Sequence, residues 1–138
     1  MTPEQITLVQ TSFAKIRPAV REVAALFYRR LFEVAPEVRA MFPEDMDEQG
    51  KKLMSVLGVA VQSLTNLPAL VPVLEELAQK HLKYGVEAAH YDVVGDVLLW
   101  TLEQGLQGEF TDDVREAWAQ TYALVSETMC NAAYAKAA

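Results

Sequence analysis

The sequence predicts an all-α fold in which about seven to eight helices pack into one domain. Apolar residues recur at three- and four-residue spacing in every segment that can be assigned, and no stretch alternates apolar and polar residues as a half-buried strand does. Proline, glycine and capping residues stand at the breaks between these segments. A length of 138 residues and a hydrophobic content of 51% suffice for an ordinary core. We therefore expect residues 1–138 to form a single domain.

The first three helices are predicted from their punctuation. Residues 2–5 (TPEQ) contain a capping threonine, a proline suited to the first helical position and a glutamine at capping-box spacing. The helical period then continues to Arg17, beyond which Pro18 disfavours helix. The second helix is predicted to end near Pro36, and a short third one, PEVRAMF, at Phe42. The acidic stretch PEDMDE that follows is predicted to be a loop.

The fourth predicted helix has the clearest pattern, because its apolar side chains form one continuous stripe. The residues of the stripe are Leu53, Val56, Leu57, Ala60, Val61 and Leu64. Pro68 breaks this helix, and the next one runs to Gly85, a residue suited to a left-handed helix end. A further helix is predicted to extend to Gly108, and Thr111 caps the last one.

Charge and cysteine content exclude several classes of function. The chain has 12 basic and 19 acidic residues, and its net charge of −7 repels phosphate backbones and anionic membrane surfaces. We therefore expect neither nucleic acid nor membrane as a partner. No secretion signal or apolar run of ~20 residues is visible, and a single cysteine, Cys130, fits a reducing compartment. The expected location is the cytoplasm.

Two histidines, His81 and His90, offer imidazole chemistry. His81 follows Leu77 and Ala78 by one helical turn, so it lies beside an apolar face, where a neutral imidazole can hold a metal such as haem iron. Considered alone, a histidine in this position is more often a packed side chain without a ligand. No second histidine or cysteine stands at zinc-ligand spacing. A metal at His81 would therefore have to bring its remaining ligands, as a porphyrin does.

Four segments together resemble the single-domain bacterial haemoglobins, including the Vitreoscilla and Hell's Gate types, and the globin half of flavohaemoglobins. They are LFYRRLFEVAPEVRAMF, KLMSVLGVAVQSLTNLPAL, KHLKYGVEAAHYDVVGDVLL and EAWAQTYALV. The resemblance covers nearly the whole chain with few gaps. It implies a globin fold around haem b (iron protoporphyrin IX), with His81 as the proximal ligand of a five-coordinate iron and a diatomic gas on the other face.

On the distal face, where the gas binds, the resemblance implies four residues. Tyr28 matches the tyrosine that points at the gas, and Gln49 matches the entry position of the fourth helix, where many globins have histidine. Leu53 matches the apolar residue over the iron, and Phe42 matches the phenylalanine that wedges against the porphyrin. A tyrosine hydroxyl and a glutamine amide both donate hydrogen bonds, which suits dioxygen because it carries partial negative charge at the iron. Without the resemblance, each residue is equally well explained by ordinary packing or surface exposure.

On the proximal side, the resemblance implies that Val86, Tyr91, Val94 and Tyr122 pack beneath or beside the haem. Lys80 is a candidate partner for a haem propionate, although a solvated lysine is the usual state of such a residue. In the resembling proteins, a glutamate of the last helix joins the tyrosine matched by Tyr91 around the proximal histidine. That arrangement makes the imidazole more basic and increases electron donation to the iron.

This chain departs from the family pattern at the proximal glutamate. Counted without gaps from Trp118 and Tyr122, the position falls on Ala133. Glu127 stands six residues earlier and faces another direction on a straight helix. We therefore expect weaker electron donation from the proximal histidine, which disfavours oxygen activation.

Two functions are compatible with these residues. The first is reversible binding of dioxygen, and also of carbon monoxide and nitric oxide, for storage, delivery or scavenging. The second is enzymatic conversion of nitric oxide to nitrate, which requires re-reduction of the iron after each cycle. No reductase domain is expected after the last helix, so a separate reductase would be the partner. We predict gas binding as the main function and dioxygenase activity as secondary. A sensor would need an output module, and a helical domain without haem would make the matched spacings coincidental.

Overall fold

The structure, a computed structural model, describes residues 1–134, which form six α-helices and four short 3-10 segments. The α-helices are α1 (Pro3–Ile16), α2 (Val20–Val34), α3 (Asp47–Gln62), α4 (Leu67–Lys83), α5 (Ala88–Leu106) and α6 (Asp112–Tyr134). The 3-10 segments are Arg17–Ala19, Pro36–Met41, Ser63–Thr65 and Gln107–Glu109. Residues 1–134 contain no strand, which confirms the all-α prediction. The helix count is slightly lower than predicted, because the expected third helix is the 3-10 segment Pro36–Met41.

Local sequence explains where several helices begin and end. The capping box of α1 is confirmed, because Thr2 and Gln5 each accept a hydrogen bond from the other's backbone N–H. Gly85 has a φ of 89° just after Tyr84, the C-cap of α4, as predicted for a residue without Cβ. The predicted loop PEDMDE is wrong at its last two residues, since α3 begins at Asp47. Their carboxylates lie in the first turn, where the helix dipole favours negative charge.

The first and last helices are joined through a buried polar contact. Trp118 of α6 is fully buried, and its Nε1 donates to Oγ of Ser12 at 2.8 Å. Pairing the two groups avoids the cost of leaving either one unsatisfied in the core. Helix α4 also packs on α6, and α2 packs on both α3 and α5. These packed pairs enclose an internal cavity, which is bordered by α2, α3, α4, α5 and α6.

No helix within residues 1–134 is both long enough and apolar enough to cross a membrane.

Candidate functional site

Most of the residues predicted from the sequence to form a site line this internal cavity. They are Tyr28, Phe42, Gln49, Leu53, His81, Val86, Tyr91, Val94 and Tyr122. Lys80 is the exception, because it lies outside the lining and its ammonium is 3.8 Å from the carboxylate of Glu76 on the exposed surface. That Lys80 meets a propionate stays a prediction.

Tyr28 of α2 is held in place by three phenylalanine rings. Its ring centroid is 5.0 Å from Phe27, 5.4 Å from Phe42 and 6.0 Å from Phe32. The residue is only 7% exposed. Burial raises the pKa of Tyr28 above its usual value of 10.0, and a hydrogen bond from Gln49 only partly offsets this. The hydroxyl therefore stays protonated at neutral pH and can donate to a ligand in the cavity.

Gln49 stands in the first turn of α3 and contacts this tyrosine directly. Its Nε2 donates to Oη of Tyr28 over 3.3 Å. Helices α2 and α3 approach closely here, and Gly50 allows this approach by having no Cβ. An added Cβ at this position would lie 3.1 Å from Cβ of Ala24. Tyr28 acts as the acceptor in this bond, and no acceptor for its hydroxyl hydrogen is found among residues 1–134. That hydrogen is consequently free for a guest molecule.

His81, in the last turn of α4, places an imidazole ring in the cavity wall. Its Nδ1 lies 2.9 Å from the carbonyl oxygen of Leu77. A carbonyl can only accept, so Nδ1 carries the proton and Nε2 keeps its lone pair. Burial lowers the pKa of His81 below its usual 6.5, with the bond to Leu77 acting in the opposite direction. The ring is therefore neutral at neutral pH, which is the form that binds metals.

Two tyrosines, Tyr91 and Tyr122, line the same cavity as His81. The ring centroids of Tyr91 and His81 are 6.4 Å apart. The backbone carbonyl of Tyr91 accepts a hydrogen bond from Oη of Tyr122 at 2.5 Å. Only glycine fits at position 95, because a Cβ on Gly95 would lie 2.6 Å from Cε2 of Tyr122. Oη of Tyr91 is buried and lacks a hydrogen-bond partner within the described residues. Burial is the main reason why the pKa of Tyr91 rises to about 12.

The residue expected from the family pattern to partner Tyr91 is absent from its surroundings. Ala133 packs in the same apolar cluster as Tyr91, so this position supplies a methyl group instead of a carboxylate. Glu127 is exposed on α6. The hydroxyl of the neighbouring Tyr134 is already bonded to the carbonyl of Val86. Alanine at position 133 therefore offers no acceptor to the orphaned hydroxyl of Tyr91.

Among the polar residues of the cavity wall, the sequence analysis missed His90 and Thr121. The backbone N–H of Glu87 donates to Nδ1 of His90 at 2.9 Å, at the N-terminus of α5. A signal for this contact was present, because the two residues have the three-residue spacing of a capping box. Further apolar lining residues were also missed, among them Leu57, which follows Leu53 by one turn on the stripe of α3.

The lining residues suit an apolar cofactor better than a bare metal ion. Within residues 1–134, no group of three or more His, Cys, Asp or Glu side chains is placed to hold a metal. Nor does any Asp, Glu, Lys or Arg from this part of the chain line the cavity. One imidazole in an apolar cavity fits a macrocycle that supplies the other metal ligands itself. Helices that cross in pairs around such a pocket are the arrangement of the globin fold.

A comparison with protein families gives the same result. The family model described as Globin matches residues 25–129, a span that contains every residue lining the cavity. The chain belongs to the globin family. A solved bacterial globin from Campylobacter jejuni has a TM-score of 0.87 and 24% identity, and the match covers 98% of this chain and 100% of that one. The predicted globin fold is therefore confirmed.

Curated flavohemoproteins are also similar to this chain. The Vibrio cholerae flavohemoprotein is 28% identical over 130 residues, which are 92% of this chain and 33% of that protein. The flavohemoprotein of Chromobacterium violaceum is 36% identical over 107 residues, 75% of this chain and 26% of that protein. The chain thus spans about a third or less of the length of these two relatives. The resemblance to bacterial globins inferred from the sequence is confirmed.

Proposed function

We propose that this globin holds haem b through Nε2 of His81 and binds a diatomic gas, principally dioxygen, reversibly on the opposite face. One observation carries the proposal. His81 combines a proton on Nδ1, bound to the carbonyl of Leu77, with a free Nε2 in an apolar cavity wall. That is the state in which a proximal histidine serves haem iron in globins. The iron, when bound, supplies the coordination site for the gas.

Tyr28 and Gln49 support dioxygen as the preferred gas. Tyr28 has a free hydroxyl hydrogen, and Gln49 holds the oxygen of that hydroxyl through its amide. Bound dioxygen is a better acceptor than carbon monoxide because its outer oxygen is more negative. A hydrogen bond to a charged acceptor contributes about 1.5–3 kcal/mol, which corresponds to roughly a ten- to hundredfold longer residence time.

Nitric oxide dioxygenation is the second candidate, because the matched relatives are flavohemoproteins, a name that combines flavin with haem. The reaction needs electrons after each cycle, and we propose a separate reductase as their source. We rank this activity second because Tyr91 has no carboxylate partner within the described residues. Without that partner, nothing in the cluster around Tyr91 increases the basicity of the proximal imidazole as a carboxylate would.

Repeated oxygenation tests the choice between the two functions. The ferrous haem protein is equilibrated with air and then with argon, and its absorption spectrum is followed over several cycles. We expect the ferrous spectrum to return each time. Conversion to the ferric form at each exposure would contradict reversible binding. Sustained nitric oxide consumption with an added reductase would then place dioxygenation first.

The orphaned hydroxyl of Tyr91 leads to a prediction about stability. Tyr91→Phe should stabilise the apoprotein by about 1 kcal/mol, because it removes a buried polar group that has no partner. The pKa of Tyr91 is about 12 in the folded chain and 10.0 in the unfolded one. The protonated Tyr91 therefore makes a contribution to the free energy of unfolding that is fully present below pH 10 and is lost as the pH rises toward 12. Tyr91→Phe has no hydroxyl to titrate, so the difference in free energy of unfolding between the variant and wild type should grow with pH.

Urea unfolding at about pH 8 and about pH 11 measures both effects. Tyr134→Phe is a suitable control, because the Tyr134 hydroxyl already has an acceptor in the carbonyl of Val86. We expect this control to destabilise the apoprotein. A Tyr91→Phe variant less stable than wild type at both pH values would mean that the hydroxyl has a partner.

Restoring the family's carboxylate should change the electronic properties of the iron. In Ala133→Glu, the new carboxylate can accept from Oη of Tyr91 and strengthen electron donation from His81. We expect the ferric–ferrous midpoint potential to fall by about 60 mV, a tenfold stabilisation of the ferric form. Ala132→Glu adds the same charge one residue away, about 100° around the helix. Equal shifts in the two variants, measured by spectroelectrochemistry, would contradict a specific contact with Tyr91.

A further inference from the structure

His90 lines the cavity but takes no part in holding the iron or the gas as proposed above. We propose that Nε2 of His90 donates a hydrogen bond to a haem propionate and so anchors the cofactor at the edge of the cavity. The inference rests on the proposed function, since it requires haem in the cavity. It assigns the role of propionate partner, which the sequence had suggested for Lys80, to another residue.

The helix cap fixes which nitrogen of His90 carries the proton. Nδ1 accepts a hydrogen bond from the backbone N–H of Glu87 at 2.9 Å. A nitrogen that accepts in this way has no proton of its own, so the proton of the neutral ring is on Nε2. Within residues 1–134, Nε2 has no acceptor. His90 therefore presents an unused donor, and its orientation is set by the backbone.

The two histidines of the cavity have opposite tautomers. His81 donates from Nδ1 to Leu77 and keeps a lone pair on Nε2, which suits a metal ion. His90 accepts at Nδ1 from Glu87 and keeps a proton on Nε2, which suits an anion. Haem presents both kinds of partner, a central iron and peripheral carboxylates. The pair of imidazoles is thus complementary to one cofactor.

The other polar groups of the cavity are already engaged or lie deep inside it. The Tyr28 hydroxyl accepts from Gln49, and its remaining hydrogen is the one proposed for the gas, on a side chain that is only 7% exposed. Tyr122 bonds to a backbone carbonyl, and Thr121 bonds to the carbonyl of Ala117. Tyr91 is 5% exposed, and its hydroxyl is buried. A propionate placed beside it would lose its hydration without a balancing cation.

The position of His90 meets the requirements of a carboxylate. The residue is half-buried, so it borders both the cavity and solvent. A propionate held there keeps part of its hydration while one oxygen accepts from Nε2. Neither lysine nor arginine from the described part of the chain lines the cavity, and Lys80 lies close to Glu76. These facts leave His90 as the donor available to a propionate at the cavity edge.

The substitution His90→Leu tests this role, because leucine has no hydrogen-bond donor, whereas glutamine would keep an amide N–H. Leucine also removes the acceptor for the backbone N–H of Glu87, so the apoprotein should unfold at a somewhat lower urea concentration than wild type. We expect haem to dissociate about tenfold faster, as measured by transfer to an excess of a scavenging apoglobin.

Haem dimethyl ester, in which both propionates are blocked as esters, provides the matched control. Wild type and His90→Leu should release this ester at equal rates, because the charged acceptor is missing from both complexes. Lys80→Gln should release ordinary haem at the wild-type rate. Faster release from Lys80→Gln together with an unchanged rate for His90→Leu would overturn the assignment.

Two further outcomes would also contradict the inference. His90→Leu could release ordinary haem at the wild-type rate, or it could release the dimethyl ester faster than wild type does. Either result would show that His90 does not act through a propionate. A wild-type chain that fails to take up haem at all would instead overturn the proposed function, and the anchoring role with it. The uptake measurement thus distinguishes failure of this inference from failure of the proposal beneath it.

Discussion

His81→Ala is expected to lower the affinity for haem by more than about a hundredfold, since losing a ligand should exceed the 10–100-fold effect of losing a ligand's supporting contact. Among the imidazole and phenol groups that line the described cavity, none is ready to replace it. Nδ1 of His90 is engaged by the backbone of Glu87, and the three tyrosines of the lining have pKa values raised above 10.0. Titration of the apoprotein with haem, followed by its absorption, measures the loss.

Free imidazole and a second histidine variant provide the controls. The alanine variant leaves space for imidazole below the haem, so added imidazole should restore a wild-type spectrum. His90→Leu should keep wild-type iron coordination, because His90 is proposed to contact only a propionate. A normal five-coordinate ferrous spectrum in His81→Ala without imidazole would contradict the ligand assignment.

Tyr28→Phe is expected to speed dioxygen release by several-fold to about tenfold while barely changing carbon monoxide release. The loss of a hydrogen bond to a charged acceptor would by itself speed dioxygen release roughly ten- to hundredfold. The expected effect is smaller because Gln49, no longer bonded to the hydroxyl, can turn its amide toward the gas. Phenylalanine keeps the ring contacts with Phe27 and Phe42, so the fold of the distal wall is retained.

Stopped-flow displacement of each gas measures these rates in Tyr28→Phe, Gln49→Leu and the double variant. If Gln49 compensates for the missing hydroxyl, the free-energy change derived from dioxygen release in the double variant should exceed the sum of the changes in the two single variants. Gln49→Leu alone should have the smaller effect, since the Tyr28 hydroxyl remains. Unchanged release of both gases in Tyr28→Phe would mean that the hydroxyl does not face the ligand.

Much of the fold could be predicted from local sequence. The stripe of apolar residues on α3, the capping box at Thr2 and the left-handed Gly85 each follow from rules that act within one or two turns. The 3-10 conformation of Pro36–Met41 was harder to predict, because a segment this short is compatible with either an α-helix or a 3-10 helix. The choice between them depends on packing against α2, which the segment itself does not encode.

The site was less accessible to sequence reasoning than the fold. The resemblance to bacterial globins predicted that Tyr28 and Gln49 would share a wall with the cofactor, and both line one cavity. The tautomers of His81 and His90 could not be predicted, since each depends on a hydrogen bond to one particular backbone group. Lys80 was predicted at the cavity, but the direction of its side chain is set by its position on α4, where it is exposed.

The absorption spectrum of the ferrous haem-loaded protein under argon tests the central proposal most directly. A chain that holds iron through His81 alone should show a five-coordinate ferrous spectrum, and its Soret band should shift on adding carbon monoxide or air. The oxygenated form should persist long enough to be recorded and should revert under argon. Absence of a Soret band after haem is added to the apoprotein, or a ferrous spectrum that no gas alters, would contradict the proposal.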